Sequence, residues 1–414
     1  MIGGVLRRFP FLVNSGYATV TAGSASLLLV LLIVAGRLLS AADYGRFSYA
    51  LVLTTIVETI MDVGLGHVTV RAVARDKVNA PRLLRDVLGL KLVWVAIGLA
   101  LIAVVAPVLR TDPLVVRLCY VMGLSAAMRS YLLTARGLLQ GLDRFDLEAA
   151  AVVSDRALLL CAGSAALWAG YGVLGLAVAF VASRLALLIA VLLLLRRIIG
   201  PVMPHVDLAA WRELQAAALP LGFFMISLNM YNYIDTVILG SMRSDTEVGL
   251  YAASYRLYEG LTYAPSILAA VLTPRLSYLF VHDRAAHRRL LMRVLLASAA
   301  LGVGLGAILL WAARPIIVTL FGAAYEPAVA PLRILAGGAL FVFATWILHA
   351  GAISTNLDRR LLLTTAVGLA ANVILNLVWI PRWGISGAAW ATVVAEALTM
   401  ALLFVQIHRR VAEP

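Results

Sequence analysis

The sequence predicts an all-α, polytopic membrane protein, and three observations support this fold class. Of the 414 residues, 63% are hydrophobic and 13% are charged, whereas a soluble globular protein is about 45–50% apolar and about 25% charged. Uncharged runs at 9–36, 294–313 and 361–381 match the roughly 20 apolar residues that a helix needs to cross a bilayer. These runs do not alternate as barrel strands do, so helices are the elements that can satisfy the backbone in lipid.

The hydrophobic runs divide the chain into about twelve spans. The segment Gly170–Gly175 (GYGVLG) is typical of a turn, and it separates the fifth span from the sixth although no charge lies between them. In chain order, the predicted spans lie at about 14–39, 45–72, 86–109, 114–138, 146–169, 173–196, 213–240, 247–278, 289–312, 326–352, 360–380 and 385–408.

The basic residues predict the orientation of these spans. With the N-terminus in the cytoplasm, 21 of the 34 Arg and Lys residues fall in cytoplasmic tails and loops, and 7 fall on the outer face. This asymmetry follows the positive-inside rule and predicts that both termini are cytoplasmic. It also accounts for most of the net charge of +13, so we expect no nucleic-acid partner. The predicted location is the cytoplasmic membrane of a bacterium or an archaeon.

A short pattern occurs twice in the chain. Ser40–Leu53 (SAADYGRFSYALVL) and Ser244–Leu257 (SDTEVGLYAASYRL) share a Ser, an acid, a Gly, an aromatic residue and a Leu in the same order. We interpret each copy as a tight outer turn in which Gly45 or Gly249 allows close turning. The acid before each glycine would lie near the start of the following helix, where the helix dipole favours a negative charge.

A second match extends the repeat to two halves. Gly170–Leu187 and Arg382–Thr399 share the pattern Gly-x-x-Gly-x-Ala-x-Ala. The chain therefore divides into an N-terminal six-helix lobe at 1–198, a cytoplasmic linker at 199–211 and a C-terminal six-helix lobe at 212–414. Six spans per half is an even number, so the two lobes would be related by a pseudo-two-fold axis along the membrane normal, with a substrate site between them.

Four segments resemble a known family: Gly36–Ala50, Asp62–Arg71 (DVGLGHVTVR), Tyr233–Gly240 (YIDTVILG) and Glu247–Leu257. They are similar to the polysaccharide flippases, which export O-antigen and exopolysaccharide repeat units, of the multidrug/oligosaccharidyl-lipid/polysaccharide exporter superfamily. The resemblance implies two six-helix bundles in a V and transport by alternating access. It also implies a polyprenyl-pyrophosphate-linked glycan as substrate, with membrane lipids and the polysaccharide polymerase machinery as partners.

Charged residues within spans are costly, so each one needs a reason. A pyrophosphate needs cationic donors, and the planar guanidinium of Arg matches phosphate oxygens. Sugars stack on aromatic rings, so tyrosines of the seventh and eighth spans could line a glycan path. The alternatives are an internal ion pair, for instance between Arg256 and Glu259, and a belt of interfacial tyrosines. The predicted substrate-binding residues are Arg129, Arg156, Arg184, Arg256, Tyr231 and Tyr255.

Acidic residues within spans are candidates for ion coupling or gating: Glu58, Asp62, Asp235 and Glu396. Glu58 and Asp62 are four residues apart and share one helix face, where a structural pair with a neighbouring Arg is the alternative. In the repeat, Arg184 aligns with Glu396, so opposite charges could meet near the interface between the lobes.

Several functions are disfavoured by the sequence. Cys119 and Cys161 lie within predicted spans without metal-ligand spacing, and no nucleotide-binding glycine loop or triad spacing occurs. We therefore expect a transporter without cofactor or metal and not an enzyme. A cation-coupled multidrug exporter of the same superfamily is the main alternative. A lipid II flippase usually has more spans, and a membrane-embedded polymerase or ligase typically needs a large external loop.

Overall fold

The computed structural model describes residues 23–201 and 203–412, and every regular element in these segments is a helix. The first seven helices are α1 (Ala25–Leu38), α2 (Ala41–Asp62), α3 (Leu65–Arg75), α4 (Ala80–Leu109), α5 (Pro113–Gly141), α6 (Phe145–Trp168) and α7 (Gly172–Ile199). They are followed by α8 (Leu208–Met242), α9 (Asp245–His282), α10 (Arg284–Phe321), a 3₁₀ turn (Ala323–Ala328), α11 (Val329–Gly337), α12 (Ala339–Ser354) and α13 (Asp358–Ala412). The predicted all-α membrane fold is confirmed.

Fewer helices than the twelve predicted are both long enough and apolar enough to cross a membrane. The described residues contain eight such helices, or nine if α11 and α12 with their 45° bend form one span. Three physical features account for the difference. The first predicted span begins outside the described residues, and its described helix, α1, has only 14 residues. α5 carries Arg117, Arg129 and Arg136 among its apolar residues. α13 contains two predicted spans, joined at Gly384 with the non-helical dihedral angles φ 54° and ψ −132°.

The helices form two compact units. Within the described residues, the first unit contains the chain up to Leu39 and Tyr49–Asn229, and the second contains Ser40–Ser48 and the chain from Met230 onward. The first turns of α2 therefore belong to the second unit, and the first two-thirds of α8 belong to the first unit. The pseudo-symmetric lobes at 1–198 and 212–414 stay a prediction.

The first unit is closely packed where glycines let backbones meet. A Cβ at Gly137 of α5 would lie 2.5 Å from the carbonyl oxygen of Gly66 in α3. The segment before α8 is also tied to this unit, because the backbone N–H of His205 donates to the carbonyl of Arg85 at 3.0 Å. Trp211 packs over Gly89 of α4. The predicted linker is therefore docked on α4.

Each copy of the doubled pattern lies at the start of a helix, and both helix starts belong to the second unit. Ser40 accepts a hydrogen bond from the backbone N–H of Asp43 at 3.1 Å, and Ser244 accepts one from that of Glu247 at 3.3 Å. Glu247 in turn accepts from the backbone N–H of Ser244, which completes a capping box. The predicted position of both acids in the first helical turn is confirmed.

The predicted role of the two glycines in turning the chain is wrong. Gly45 and Gly249 lie inside α2 and α9, not in turns. A Cβ at Gly45 would overlap the carbonyl oxygen of Asp245, and a Cβ at Gly249 would overlap that of Ala41. The pattern therefore marks the place where the two helix N-termini cross with their backbones in contact, which a side chain on either glycine would prevent.

Candidate functional site

The first unit contains a cationic pocket. Arg129 and Arg136 lie seven residues apart on α5, which places them two turns apart on one helix face. Arg156 of α6 lines the same pocket, as does Asp155, and Leu132, Leu133 and Leu187 are among its apolar residues. Arg129, Arg136 and Arg156 are named the arginine cluster below.

Carboxylates partly neutralise the arginine cluster. Arg129 Nη1 donates to Glu58 Oε2 at 3.3 Å, and Arg136 donates through Nε and Nη2 to Glu148 Oε1 at 3.0 and 2.7 Å. A guanidinium carries five N–H donors, so one that pairs with a carboxylate can also donate to a second anion. Phosphate oxygens are anions of this kind.

Arg184 has a different environment from the arginine cluster. Its side chain is 3% exposed, donates to Ser125 Oγ at 2.9 Å, and lies over the ring of Phe180 at 5.5 Å. Glu396, which the repeat aligns with it, is buried in the second unit. Arg184 thus packs inside the first unit and does not line the pocket that the arginine cluster forms.

Asp62 belongs to a buried ion pair. Lys91 of α4 is fully buried, and its ammonium donates to Asp62 Oδ1 and to Thr134 Oγ1. The structural alternative, a pair with a neighbouring Arg, is present at Glu58, which contacts Arg129, whereas Asp62 pairs with a lysine instead. Removing one partner of such a buried pair costs about 3–5 kcal/mol.

A second open pocket lies next to this pair. Asp62, His67, Arg136 and Gln140 supply its polar lining. Because Arg136 lines both pockets, the arginine cluster and the buried ion pair lie side by side in the first unit. A proton or a cation in this pocket would reach the Asp62 carboxylate directly.

The second unit contains an aromatic cluster around Arg256. Arg256 is buried and donates to Glu259 Oε2 at 2.6 Å, and Tyr233 donates to the other oxygen of Glu259 at 2.7 Å. Tyr255 is buried and donates to the carbonyl of Asn232 at 2.6 Å. Its ring packs between those of its neighbours, with centroid distances of 5.9–6.4 Å to Tyr251, Tyr258 and Tyr233. The internal ion pair that the sequence left open for Arg256 is therefore present.

Tyr231 is the more accessible of the two predicted glycan-stacking residues. It is partly exposed, and its hydroxyl lies 3.4 Å from Thr399 Oγ1. One face of its ring borders Gly368, where a Cβ would lie 3.1 Å from Cε2 of the tyrosine. The ring therefore packs closely against the backbone of Gly368, and a side chain at that position would crowd both Tyr231 and Thr399.

Two buried acids of the second unit have hydroxyl neighbours. Asp235 accepts from the hydroxyl of Tyr251, from the backbone N–H of Thr236 at 2.6 Å and from Thr392 Oγ1 at 3.3 Å. Glu396 is 7% exposed, and its Oε2 has no hydrogen-bond partner among the described residues. Neither carboxyl has an ion pair within the described part of the chain, which distinguishes both from Glu58 and Asp62.

Sequence reasoning missed two members of this arrangement. Neither Arg136 nor Lys91 is among the predicted site residues. Arg136 lies within α5 and pairs with Glu148, and Lys91 pairs with Asp62. The spacing of seven residues between Arg129 and Arg136 was the signal that could have placed both on one helix face.

Comparisons with known proteins identify the family of the chain. The family model described as polysaccharide biosynthesis protein matches residues 12–280, which is more than half of the chain. The match confirms the family resemblance that the sequence predicted. A comparison with curated proteins finds no significant match.

Solved structures share the fold. An inward-facing multidrug resistance MATE family transporter of the MOP superfamily aligns with a TM-score of 0.79 at 14% identity, covering 94% of each chain. The lipid II flippase MurJ in an inward closed conformation aligns with a TM-score of 0.79 at 13% identity, covering 95% of this chain and 87% of MurJ. A MOP superfamily transporter from Pyrococcus furiosus aligns at 0.63 and 13% identity, covering 97% and 96%. At these identities the likeness shows the fold alone.

Proposed function

Since the chain belongs to the polysaccharide biosynthesis protein family, we propose that it is a flippase for lipid-linked glycans. Its substrate is a polyprenyl-pyrophosphate-linked oligosaccharide repeat unit, which it moves across the cytoplasmic membrane for extension by a polymerase outside. The observation that carries this proposal is the arginine cluster, which lines an open pocket in a membrane-spanning unit. A cation in a span is costly, and a phosphate-bearing substrate supplies the reason for it.

The arginine cluster acts as the headgroup site in this proposal. The pyrophosphate carries several negative oxygens, and charge-assisted hydrogen bonds from guanidinium groups are the strongest that the chain can offer it. Glu58 and Glu148 hold the Arg129 and Arg136 side chains in place before the substrate arrives. Arg156 completes the site from α6, while the prenyl chain stays in lipid.

Of the two tyrosines predicted to stack on a glycan, Tyr231 is better placed than Tyr255. Tyr231 is partly exposed, so the exposed part of its ring can stack against a sugar. Tyr255 is buried within the aromatic cluster, so it reaches a glycan only if α8 and α9 rearrange. Arg184 and Arg256 contribute through the packing of their own units.

Energy for transport comes from an ion gradient or from the substrate gradient, because the sequence contains no nucleotide-binding motif. We propose Asp235 and Glu396 as the groups that exchange protons, and Asp62, which keeps its charge beside Lys91, as a group that attracts a coupling cation. Asp62 borders a pocket, Asp235 is a buried carboxyl that accepts from hydroxyl groups, and Glu396 is a buried carboxyl without a basic partner among the described residues. Rocking of helical lobes, as the family resemblance implies, would expose the headgroup on alternate sides of the membrane.

Reconstitution tests the proposal. The protein is placed in liposomes with a polyprenyl-pyrophosphate oligosaccharide, and a membrane-impermeant glycosidase reports headgroup exposure over time. We expect protein-dependent exposure that falls about tenfold or more in Arg156→Gln, since a hydrogen bond to a charged group contributes about 1.5–3 kcal/mol. Arg144→Gln is the matched control, because Arg144 is exposed and pairs with Asp146 outside the pocket. Equal rates in both variants would contradict the assignment of the cluster.

A second candidate function is cation-coupled export of a drug-like cation. Asp235 and Glu396 favour it, because buried acids without a basic partner can attract a cation. The same liposomes distinguish the two functions. Uptake of a cationic dye that requires Asp235, together with no exposure of any pyrophosphate lipid, would establish the exporter and exclude the flippase.

A further inference from the structure

An apolar groove with a basic mouth lies in the second unit, and none of its lining residues belongs to the clusters described above. It is lined by α10, α12 and α13. Leu291, Met292 and Leu295 of α10 form one wall, and Leu348, Phe404 and Ile407 complete the apolar surface. Arg288 and His408 are its polar lining residues. The groove is therefore amphipathic along its length.

The polar lining is gathered at one end of the groove. Arg288 lies in the second turn of α10, and His408 lies in the last turns of α13. Leu295 is seven residues further along α10, which is about 10 Å at a rise of 1.5 Å per residue. The orientation predicted from the basic residues puts the Arg288 end at the cytoplasmic surface and the Leu295 end toward the middle of the bilayer. A phospholipid has this same arrangement of phosphate and acyl chain.

Leu291 of α10 and Ile407 of α13 form the floor of the groove, where both approach Gly351 of α12. A Cβ at Gly351 of α12 would lie 3.2 Å from Leu291 Cδ1 and 3.3 Å from Ile407 Cδ1. Leu291, Leu348 and Ile407 are all buried, so they fix the shape of the floor. Phe404 is 40% exposed and its ring stacks on that of His408 with an interplanar angle of 16°. This stack forms a side of the groove that an acyl chain can cover.

At the basic mouth of the groove, two positive side chains have no acidic partner among the described residues. Arg288 and Arg289 are exposed, and neither forms an ion pair with any residue that the structure describes. Arg409 lies beside His408 at the end of α13. Clusters of basic residues at the cytoplasmic ends of membrane helices attract anionic lipid headgroups. Charge complementarity therefore favours an anionic occupant over a zwitterionic one.

We propose that this groove is a binding site for one anionic membrane phospholipid, with its phosphate at Arg288 and His408 and an acyl chain along Leu295 and Phe404. The site is separate from the transported substrate and does not rest on the flippase proposal. A lipid there would hold the cytoplasmic ends of α10, α12 and α13 together, since all three helices contribute to the groove.

Native mass spectrometry of the full-length protein in detergent tests this site. Phosphatidylglycerol is titrated against the wild type, Arg288→Gln and Leu295→Trp, and phosphatidylcholine is the zwitterionic comparison. We expect one tightly bound phosphatidylglycerol, weakened about tenfold or more in Arg288→Gln, since a hydrogen bond to a charged group contributes about 1.5–3 kcal/mol. Leu295→Trp fills the apolar end and should weaken the same binding event. Unchanged thermal unfolding without lipid shows that each variant is folded.

Arg289→Gln is the matched control, because it removes the same charge from the next residue, whose side chain does not line the groove. Equal losses in Arg288→Gln and Arg289→Gln would overturn the proposal in favour of diffuse surface attraction. Equal affinities for phosphatidylglycerol and phosphatidylcholine would also overturn it. Tight binding of a polyprenyl phosphate without binding of phosphatidylglycerol would assign the groove to a prenyl chain instead.

Discussion

The two compact units bury their acids in different ways. In the first unit, Glu58 and Asp62 contact Arg129 and Lys91. The second unit also contains the Arg256–Glu259 pair, but Asp235 is held by hydroxyl groups and a backbone N–H. A carboxylate paired with a cation keeps its charge, because losing it would leave the partner buried and unpaired. A carboxyl that accepts from hydroxyl groups can gain a proton without that penalty. The difference teaches that the units keep acids in the membrane by different means: the first pairs them with cations, and the second surrounds Asp235 with hydrogen-bond donors.

Breaking the first unit's buried pair should have the largest effect. Lys91→Met leaves the Asp62 carboxylate buried without a counter-ion, so we expect a loss of about 3–5 kcal/mol in the free energy of unfolding. The measurement is the unfolding transition in a denaturing detergent. The double variant Lys91→Met with Asp62→Leu should recover part of the loss, because it removes both charges. A double variant as unstable as the single one would mean that packing, and not charge, determines the cost.

The crossing of α2 and α9 should be the next most sensitive feature. Gly45→Ala places a methyl group against the carbonyl of Asp245, and we expect a loss of about 1–3 kcal/mol from overpacking. Gly304→Ala is the control, because a Cβ at Gly304 meets no atom within 4 Å. That change in a helix interior should be neutral or stabilising by up to about 1 kcal/mol. Equal thermal unfolding of the two variants would show that the helices do not cross at Gly45.

Replacing one buried aspartate of each unit by asparagine compares the two environments directly. Asp235→Asn keeps the shape of the side chain and an acceptor oxygen for Tyr251 or Thr236, so we expect a loss of about 1–2 kcal/mol. Asp62→Asn should cost more, because it leaves the Lys91 ammonium without its counter-charge. Unfolding of both variants under the same conditions checks this order. The reverse order would show that Asp235 is the acid that carries a permanent charge.

The smallest effect is expected at the start of α2. Arg46 donates to Asp245 Oδ2 at 3.0 Å and to Asp43 Oδ1 at 2.9 Å, and its side chain is 29% exposed. Exposed ion pairs contribute about 0.2–1 kcal/mol, so Arg46→Gln should shift unfolding by no more than this. Raising the salt concentration should reduce the difference from the wild type. A large loss at high salt would point to a packing role for Arg46.

Much of the fold follows from local features of the sequence. Length and apolarity predict the helices, and the acids at Asp43 and Glu247 predict two helix starts. The Arg256–Glu259 pair could be foreseen because residues three apart meet on one helix. Such inferences need only the geometry of a single helix.

The remaining contacts depend on how helices rotate and pack against one another. Lys91 and Asp62 are 29 residues apart, and Arg136 and Glu148 lie on different helices. Hydropathy does not specify which face of a uniformly apolar helix points inward, so these pairs could not be predicted. Gly45 shows the same limit, because a glycine in a polar segment is equally consistent with a turn and with a close crossing.

The division of the chain into units has a consequence for synthesis. Ser40–Ser48 belongs to a unit whose other residues begin at Met230, almost two hundred residues later. A ribosome therefore delivers the first turns of α2 to the membrane long before α9 exists to cross them. During that interval Gly45 presents bare backbone to its surroundings. Two fragments cut at the docked segment around His205 would each lack residues that complete their unit, so assembly from halves should require both fragments in one membrane.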